Sequence, residues 1–118
     1  MVLDNIQDKL GPGTWYCIHM LGAFAMTEDK VVFFCQYIRT LQKKFWCDEC
    51  SEHFGEYLDN HPPEKSLNMF LWTWEFHNSV NIILGKSEMP YQTARSIYID
   101  HTQKMCQESK CSNPKTKN

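Results

Sequence analysis

Cys47-Asp48-Glu49-Cys50 is a Cys-x-x-Cys pair set in the stretch Phe45 to Phe54, which also carries His53. Two thiols at this spacing can close a small disulfide ring or share a metal ion. A thiolate in such a motif can form well below the pKa of free cysteine, which makes it a nucleophile at neutral pH. The spacing alone leaves redox and zinc chemistry both open. A second group of candidates lies between Leu71 and Lys86. Trp74, His77, Asn78 and Asn81 fall at i, i+3, i+4 and i+7 and share one helix face. Phe76, Val80 and Ile83 make a separate apolar stripe. A core uses the stripe. The polar, aromatic face needs partners for each group if it is buried. A flat polar ligand would satisfy it, stacking on the indole and hydrogen bonding to the amides and the imidazole. Trp15 and His19 are i, i+4 neighbours, with Gly22 and Ala23 on nearly the same face. This pattern suits a large planar group lying close to backbone.

The elements that must position these groups read as helices throughout. No Val/Ile/Thr-rich alternating segment with hairpin turn residues is present. Gly11-Pro12-Gly13 reads as a breaker, with Thr14 capping a first helix from about Trp15 to Met26. Thr27 is expected to cap a second, with Glu28 and Asp29 in its first turn, running to about Phe45. A third is expected over Asp48–Asp59, ended by His61-Pro62-Pro63. A fourth is expected over Glu64–Leu84 and ended by Gly85. A fifth should start near Pro90 and end before Cys106. Short connections predict an all-α bundle of antiparallel neighbours. The expected organisation is one domain over residues 1–106 and a polar, mobile tail over 107–118.

Composition narrows the function classes. The chain has 118 residues, 42% hydrophobic and 14% aromatic, enough for one packed core. A formal net charge of −2 argues against nucleic-acid binding by bulk electrostatics. No apolar run reaches the roughly 20 residues of a membrane span, and no secretory signal core is visible near the N-terminus. Six cysteines without such a signal read as redox or metal chemistry in a reducing or intermediate compartment.

Three blocks in order carry a family resemblance. They are Gly11-x-x-x-Trp15-x-x-x-His19, then Cys47-x-x-Cys50-x-x-His53-Phe54, then Trp72 through His77-Asn78, Val80-Asn81 and Leu84-Gly85-Lys86. Together they resemble the Erv/ALR family of FAD-dependent sulfhydryl oxidases, over most of the domain. The resemblance implies a four-helix bundle with a short fifth helix and FAD at the bundle mouth beside the Cys-x-x-Cys. It implies oxidation of protein dithiols, with a thioredoxin-like carrier among the partners, and electrons passed to oxygen to give hydrogen peroxide. It implies a homodimer, and with the charge and hydropathy of the chain the expected partners include no nucleic acid and no membrane. Carried over by residue, Gly11, Trp15, His19, His53, Trp74, His77, Asn78, Asn81, Leu84 and Lys86 become the FAD contacts. Cys50 faces the flavin and Cys47 exchanges with substrate. Many cellular members have a cysteine where this chain has Trp74. The compact form is similar to those of large DNA viruses, which implies host cytoplasm or virion; the alternative is the mitochondrial intermembrane space.

The competing readings are plain. Cys47 and Cys50 with His53 and His77, or with Cys106 and Cys111, would make a structural zinc site in a non-enzymatic helical interaction module. Lys86 also suits a helix end by dipole alone, and Trp72, off the Trp74 face, suits the core. Cys17 and Cys35 read as buried free thiols. Cys106 and Cys111 are open to three readings: a shuttle pair on a flexible arm, a tail-stapling disulfide, or free thiols.

Overall fold

Gly11-Pro12-Gly13 does not break the first helix: α1 runs from Val2 to Ala23, straight through it. The structure is a computed structural model that describes residues 2–45, 47–100 and 103, and of residues 2–10 the backbone alone. Neither glycine is held at positive φ, so both adopt helical backbone as any residue would. An interior proline forfeits one hydrogen bond and strains a turn, at about 3 kcal/mol. That weakens a helix without forbidding one that tertiary contacts hold further along.

The remaining elements are α2 (Glu28–Lys43), α3 (Asp48–Asn60), a 3₁₀ turn (Pro63–Lys65), α4 (Met69–Ile83), and α5 (Tyr91–Ala94), which continues as a π-helix over Arg95–Asp100. No strand occurs among the described residues. The expected bundle of four helices with a short fifth is what the chain forms.

Local chemistry sets the ends, with two departures from expectation. Thr27 precedes α2, but its hydroxyl donates to Asp29 Oδ1 at 2.6 Å and caps no backbone amide. α4 begins at Met69 and not at Glu64. Glu64 is engaged elsewhere, accepting two hydrogen bonds of 2.8 Å from the Arg39 guanidinium on α2. Asn68 supplies the cap instead, its Oδ1 accepting from the Leu71 amide at 3.0 Å. Gly85 ends α4 at φ 73°, with Lys86 N–H bonding Asn81 O at 2.8 Å and Gly85 N–H bonding Ile82 O at 3.1 Å. Those two bonds are the Schellman pattern, which needs a left-handed residue at Gly85.

The core gathers one stripe from each helix: Ile18 from α1, Phe34 and Ile38 from α2, Phe54 and Leu58 from α3, and Trp72 and Phe76 from α4. Each such side chain contributes about 1.5–3 kcal/mol on burial. A second cluster of Met20, Phe70, Ala94 and Tyr98 docks the α5 segment on α1 and α4.

The Gly22 gap has a different occupant from the planar ligand that the sequence suggests. A Cβ at Gly22 would lie 2.8 Å from Thr73 Cγ2 and 3.1 Å from Met69 O. The missing side chain therefore lets α4 backbone close on α1. Gly22→Ala is expected to destabilise the fold by about 1–3 kcal/mol through overpacking. The readout is a lower urea midpoint at unchanged slope. An unchanged midpoint would mean that Thr73 turns aside freely.

Cys35 is buried as expected, but Cys17 is exposed on the outer side of α1. Among the described residues, no helix is long and apolar enough to cross a membrane. Cys106, Cys111 and the boundary expected near residue 106 lie outside the described residues.

Candidate functional site

The Cys-x-x-Cys opens α3. Cys47 is its N-cap, with extended backbone, and its Sγ accepts from the Cys50 amide at 3.2 Å. Short polar residues usually do this work; here a sulfur does. The first turn of α3 is fastened to the end of α2 by two reciprocal bonds. Gln42 Nε2 donates to Ser51 O at 2.9 Å, and Ser51 Oγ donates to Gln42 O at 2.6 Å. The two thiols are free and half-buried. Their surroundings differ. Cys50 lines a cavity, and Cys47 does not. Burial pushes the Cys50 thiol up to about 11, helped by its hydrogen bond and charge coupling to Cys47. By itself, then, Cys50 keeps its proton at neutral pH.

The cavity has a volume of about 360 Å³ and is walled by α1, α3 and α4. Such a volume lies within the range of about 300–1,000 Å³ usual for small-molecule sites. Its walls are aromatic and aliphatic: Trp15, Phe54, Tyr57, Phe76, Val80 and Ile83. Gly11, His53, Cys50 and Leu84 also line it. The Phe76-Val80-Ile83 stripe therefore runs out of the core and into this wall, with Phe76 buried and Ile83 58% exposed. Phe54 stacks on Phe76 with ring centroids 4.6 Å apart.

Behind the wall lies a histidine pair. The Trp15 indole stacks on the His77 imidazole at 3.8 Å with 4° between the planes. His19 Nε2 and His77 Nδ1 are hydrogen bonded at 2.8 Å. His19 Nδ1 and Thr73 Oγ1 are hydrogen bonded at 2.9 Å. Tyr98 stacks on the far side of His19 at 4.1 Å. Burial holds His19 down to about 3, with the neighbouring His77 adding to the drop. Burial also holds His77 down to about 4, and the Lys86 charge contributes. Both rings are neutral at pH 7.

Trp74, Asn78 and Asn81 point elsewhere. Trp74 Nε1 donates to Met89 O at 2.7 Å, and Asn78 Nδ2 donates to the same oxygen at 2.9 Å. The Met89 amide donates back to Asn78 Oδ1 at 2.8 Å. Asn81 Nδ2 in turn donates to Asn78 Oδ1 at 3.3 Å. Trp74 and Asn78 thus take partners from the segment entering α5, and Asn81 bonds Asn78 within its own helix. Sequence reasoning could not see that segment folding back. None of the three lines the cavity. Lys86 follows the Gly85 turn, near enough to His77 to act on it by charge.

The structure therefore brings Gly11, Trp15, Cys50, His53 and Leu84 to one cavity, and sets His19 and His77 against Trp15. It adds Thr73, Tyr98, Phe54 and Tyr57, which sequence reasoning missed. Phe54 alone carried a signal, through the Cys-x-x-Cys-x-x-His-Phe block. Among the described residues no three His, Cys, Asp or Glu side chains gather where they could hold a metal ion. The zinc reading of Cys47 and Cys50 finds no support there.

A helical bundle that opens one helix with a Cys-x-x-Cys, and turns the second sulfur to an aromatic cavity, defines a class of dithiol–disulfide proteins. Residues 12–103 match the Erv1/Alr family, and the chain belongs to that family. It is 29% identical over 107 residues to the FAD-linked sulfhydryl oxidase ERV1 of Arabidopsis thaliana, covering 85% of this chain and 56% of the relative. It is 28% identical over 93 residues to the FAD-linked sulfhydryl oxidase of African swine fever virus, covering 75% and 78%. The chain spans about half the length of the matched ERV1 proteins of Arabidopsis thaliana and Oryza sativa, 56% and 55%. The crystal structure of the yeast Erv1 core superimposes with a TM-score of 0.70 at 22% identity, covering 79% of this chain and 83% of that one. That likeness establishes the shared fold.

Proposed function

We propose that this protein is a flavin-linked thiol oxidase that forms disulfides in protein substrates. The observation that carries the reading is the division of the Cys-x-x-Cys: Cys50 lines an aromatic cavity, and Cys47 caps the helix outside it. The relatives named FAD-linked sulfhydryl oxidases support the cofactor. The donor set also fits one. The cavity wall supplies flat aromatic surfaces of the size a flavin ring needs, beside a sulfur. Gly11, Trp15, His53 and Leu84 would bound the group. His19 and His77 would brace Trp15. Trp74, Asn78, Asn81 and Lys86 would act from the adjoining end of α4. Bound there, FAD supplies a two-electron acceptor and the reaction with oxygen that yields hydrogen peroxide.

The chain's own steps are thiol–disulfide exchange. In the oxidised pair, a substrate thiolate attacks Cys47 Sγ. The Cys47–Cys50 bond breaks, a mixed disulfide forms at Cys47, and Cys50 leaves as thiolate. The second substrate thiolate then attacks its partner sulfur and releases Cys47 as thiolate. The substrate has lost two electrons and two protons, and the pair has gained the two electrons. Cys50, raised by burial, needs stabilisation to carry that charge, and its place on the cavity wall sets it beside the cofactor. Tyr16, Phe24, Val32 and Phe33, exposed on and beside α1 and α2, support a homodimer.

One spectrum tests the reading. The purified protein should be yellow, absorb in the near-ultraviolet and blue, and consume oxygen with dithiothreitol while producing peroxide. A colourless protein that takes up no added FAD, with zinc found instead, would establish the interaction-module alternative.

A further inference from the structure

The hydrogen bonds around His19 have a direction, and Thr73 sets it. Thr73 Oγ1 lies 2.6 Å from the carbonyl oxygen of Phe70 on the preceding turn of α4. Two oxygens that close need a hydrogen between them, and a carbonyl has none. The Thr73 hydroxyl hydrogen is therefore committed to Phe70. Toward His19 the same oxygen can only accept, so His19 Nδ1 carries the proton in their 2.9 Å bond. A neutral imidazole with Nδ1–H has a bare Nε2. That Nε2 accepts across 2.8 Å from His77, whose Nδ1 must then be the donor. His77 in turn is left with a bare Nε2. The reverse chain would set lone pairs of Thr73 and Phe70 against each other at 2.6 Å. A doubly protonated His19 is disfavoured by its burial, which holds the ring down to about 3. Thr73 and His19 are fully buried, so no bulk water relaxes the arrangement.

We propose that Thr73 is a positioning residue that locks His19 and His77 as Nδ1–H tautomers and so fixes the imidazole on which Trp15 stacks at the cavity wall. What the Trp15 wall holds rests on the flavin reading. The tautomers do not rest on it. Sequence inspection passes over Thr73 because a threonine inside a helix ordinarily satisfies itself on the preceding turn. Here that habit is what makes it an obligate acceptor for a residue 54 positions away.

The test uses the ¹⁵N-labelled, purified protein near pH 7, with imidazole tautomers read from long-range ¹H–¹⁵N correlation. In the wild type, both His19 and His77 should show the Nδ1–H pattern. Thr73→Ser keeps the hydroxyl and should keep both patterns. Thr73→Val keeps the shape and removes the acceptor. His19 should then turn to Nε2–H, and His77 should follow. FAD binding should weaken about tenfold in Thr73→Val, the scale of one lost hydrogen bond, and recover in Thr73→Ser. A wild-type His19 carrying its proton on Nε2 overturns the proposal, even if Thr73→Val does not fold. Tautomers unchanged in a folded Thr73→Val overturn it as well. Swapped tautomers with unchanged FAD affinity overturn the role of the pair in positioning Trp15. A protein with the expected tautomers that binds no flavin refutes the flavin reading and leaves the role of Thr73 standing.

Discussion

Cys50→Ala is expected to reduce dithiol oxidation by about 10³-fold or more, because it removes a sulfur that no other group replaces. Cys50 is the thiol on the cavity wall. Without it, Cys47 is a lone thiol with no disulfide bond for a substrate thiolate to break, so no electron pair reaches the cavity side. Cys47→Ala should be equally inactive for the opposite reason: Cys50 remains beside the cavity with no outward partner to exchange with substrate. The cavity walls come mainly from α1, α4 and the later turns of α3, so both variants should retain bound flavin. Cys17→Ala and Cys35→Ala are the controls. Cys17 is exposed and Cys35 buried, neither lines the cavity, and turnover should be close to wild type. Oxygen uptake with dithiothreitol measures all four. Full turnover in Cys50→Ala would falsify the assignment of the redox pair.

Acidification should destabilise the fold well above the pH at which carboxylates titrate. His19 and His77 sit at about 3 and about 4 in the folded protein, against 6.5 for an ordinary imidazole. Between those values and 6.5 the unfolded chain binds more protons than the native one. Stability therefore rises with pH through this window and falls as pH drops. The contribution is fully present above pH 6.5 and is lost as pH approaches 3. From pH 6.5 to 5 the two rings together should remove about 3 kcal/mol, an upper value because His77 is only partly buried. In that window the Asp29 and Glu64 carboxyls, both held below their ordinary values, stay ionised. Urea unfolding at fixed FAD saturation should show the slope, and the variant His19→Gln should flatten it. A midpoint flat from pH 6.5 to 5 would show that the rings are solvated in the native state.

The helices were legible from sequence because their signals are local. The Asp48 start of α3, its end before Pro62, and the Gly85 stop depend on residues within one or two turns. The Cys-x-x-Cys was legible for the same reason: its chemistry depends on a spacing of three along a single helix start. Trp15 and His19 could be paired, being one turn apart. What failed was reasoning that needed to know what comes to meet a residue. Gly22 and Ala23 looked like room for a ligand, and α4 backbone fills it. The partners of Trp74 and Asn78 could not be read along the chain, and Met89 O supplies them. Glu64 looked like a helix start, and Arg39 claims it from α2.

By itself, then, the sequence determined an all-helical chain, both ends of α3, the Gly85 stop of α4, and a dithiol at the start of one helix. Tertiary structure alone decided which polar groups find partners within the protein itself and how the buried histidine pair is held. The reason is physical. Helix starts and stops are decided by hydrogen bonds among residues a few positions apart. The partner of a buried polar group is decided by packing between segments such as Thr73 and His19, 54 residues distant, which no local pattern encodes.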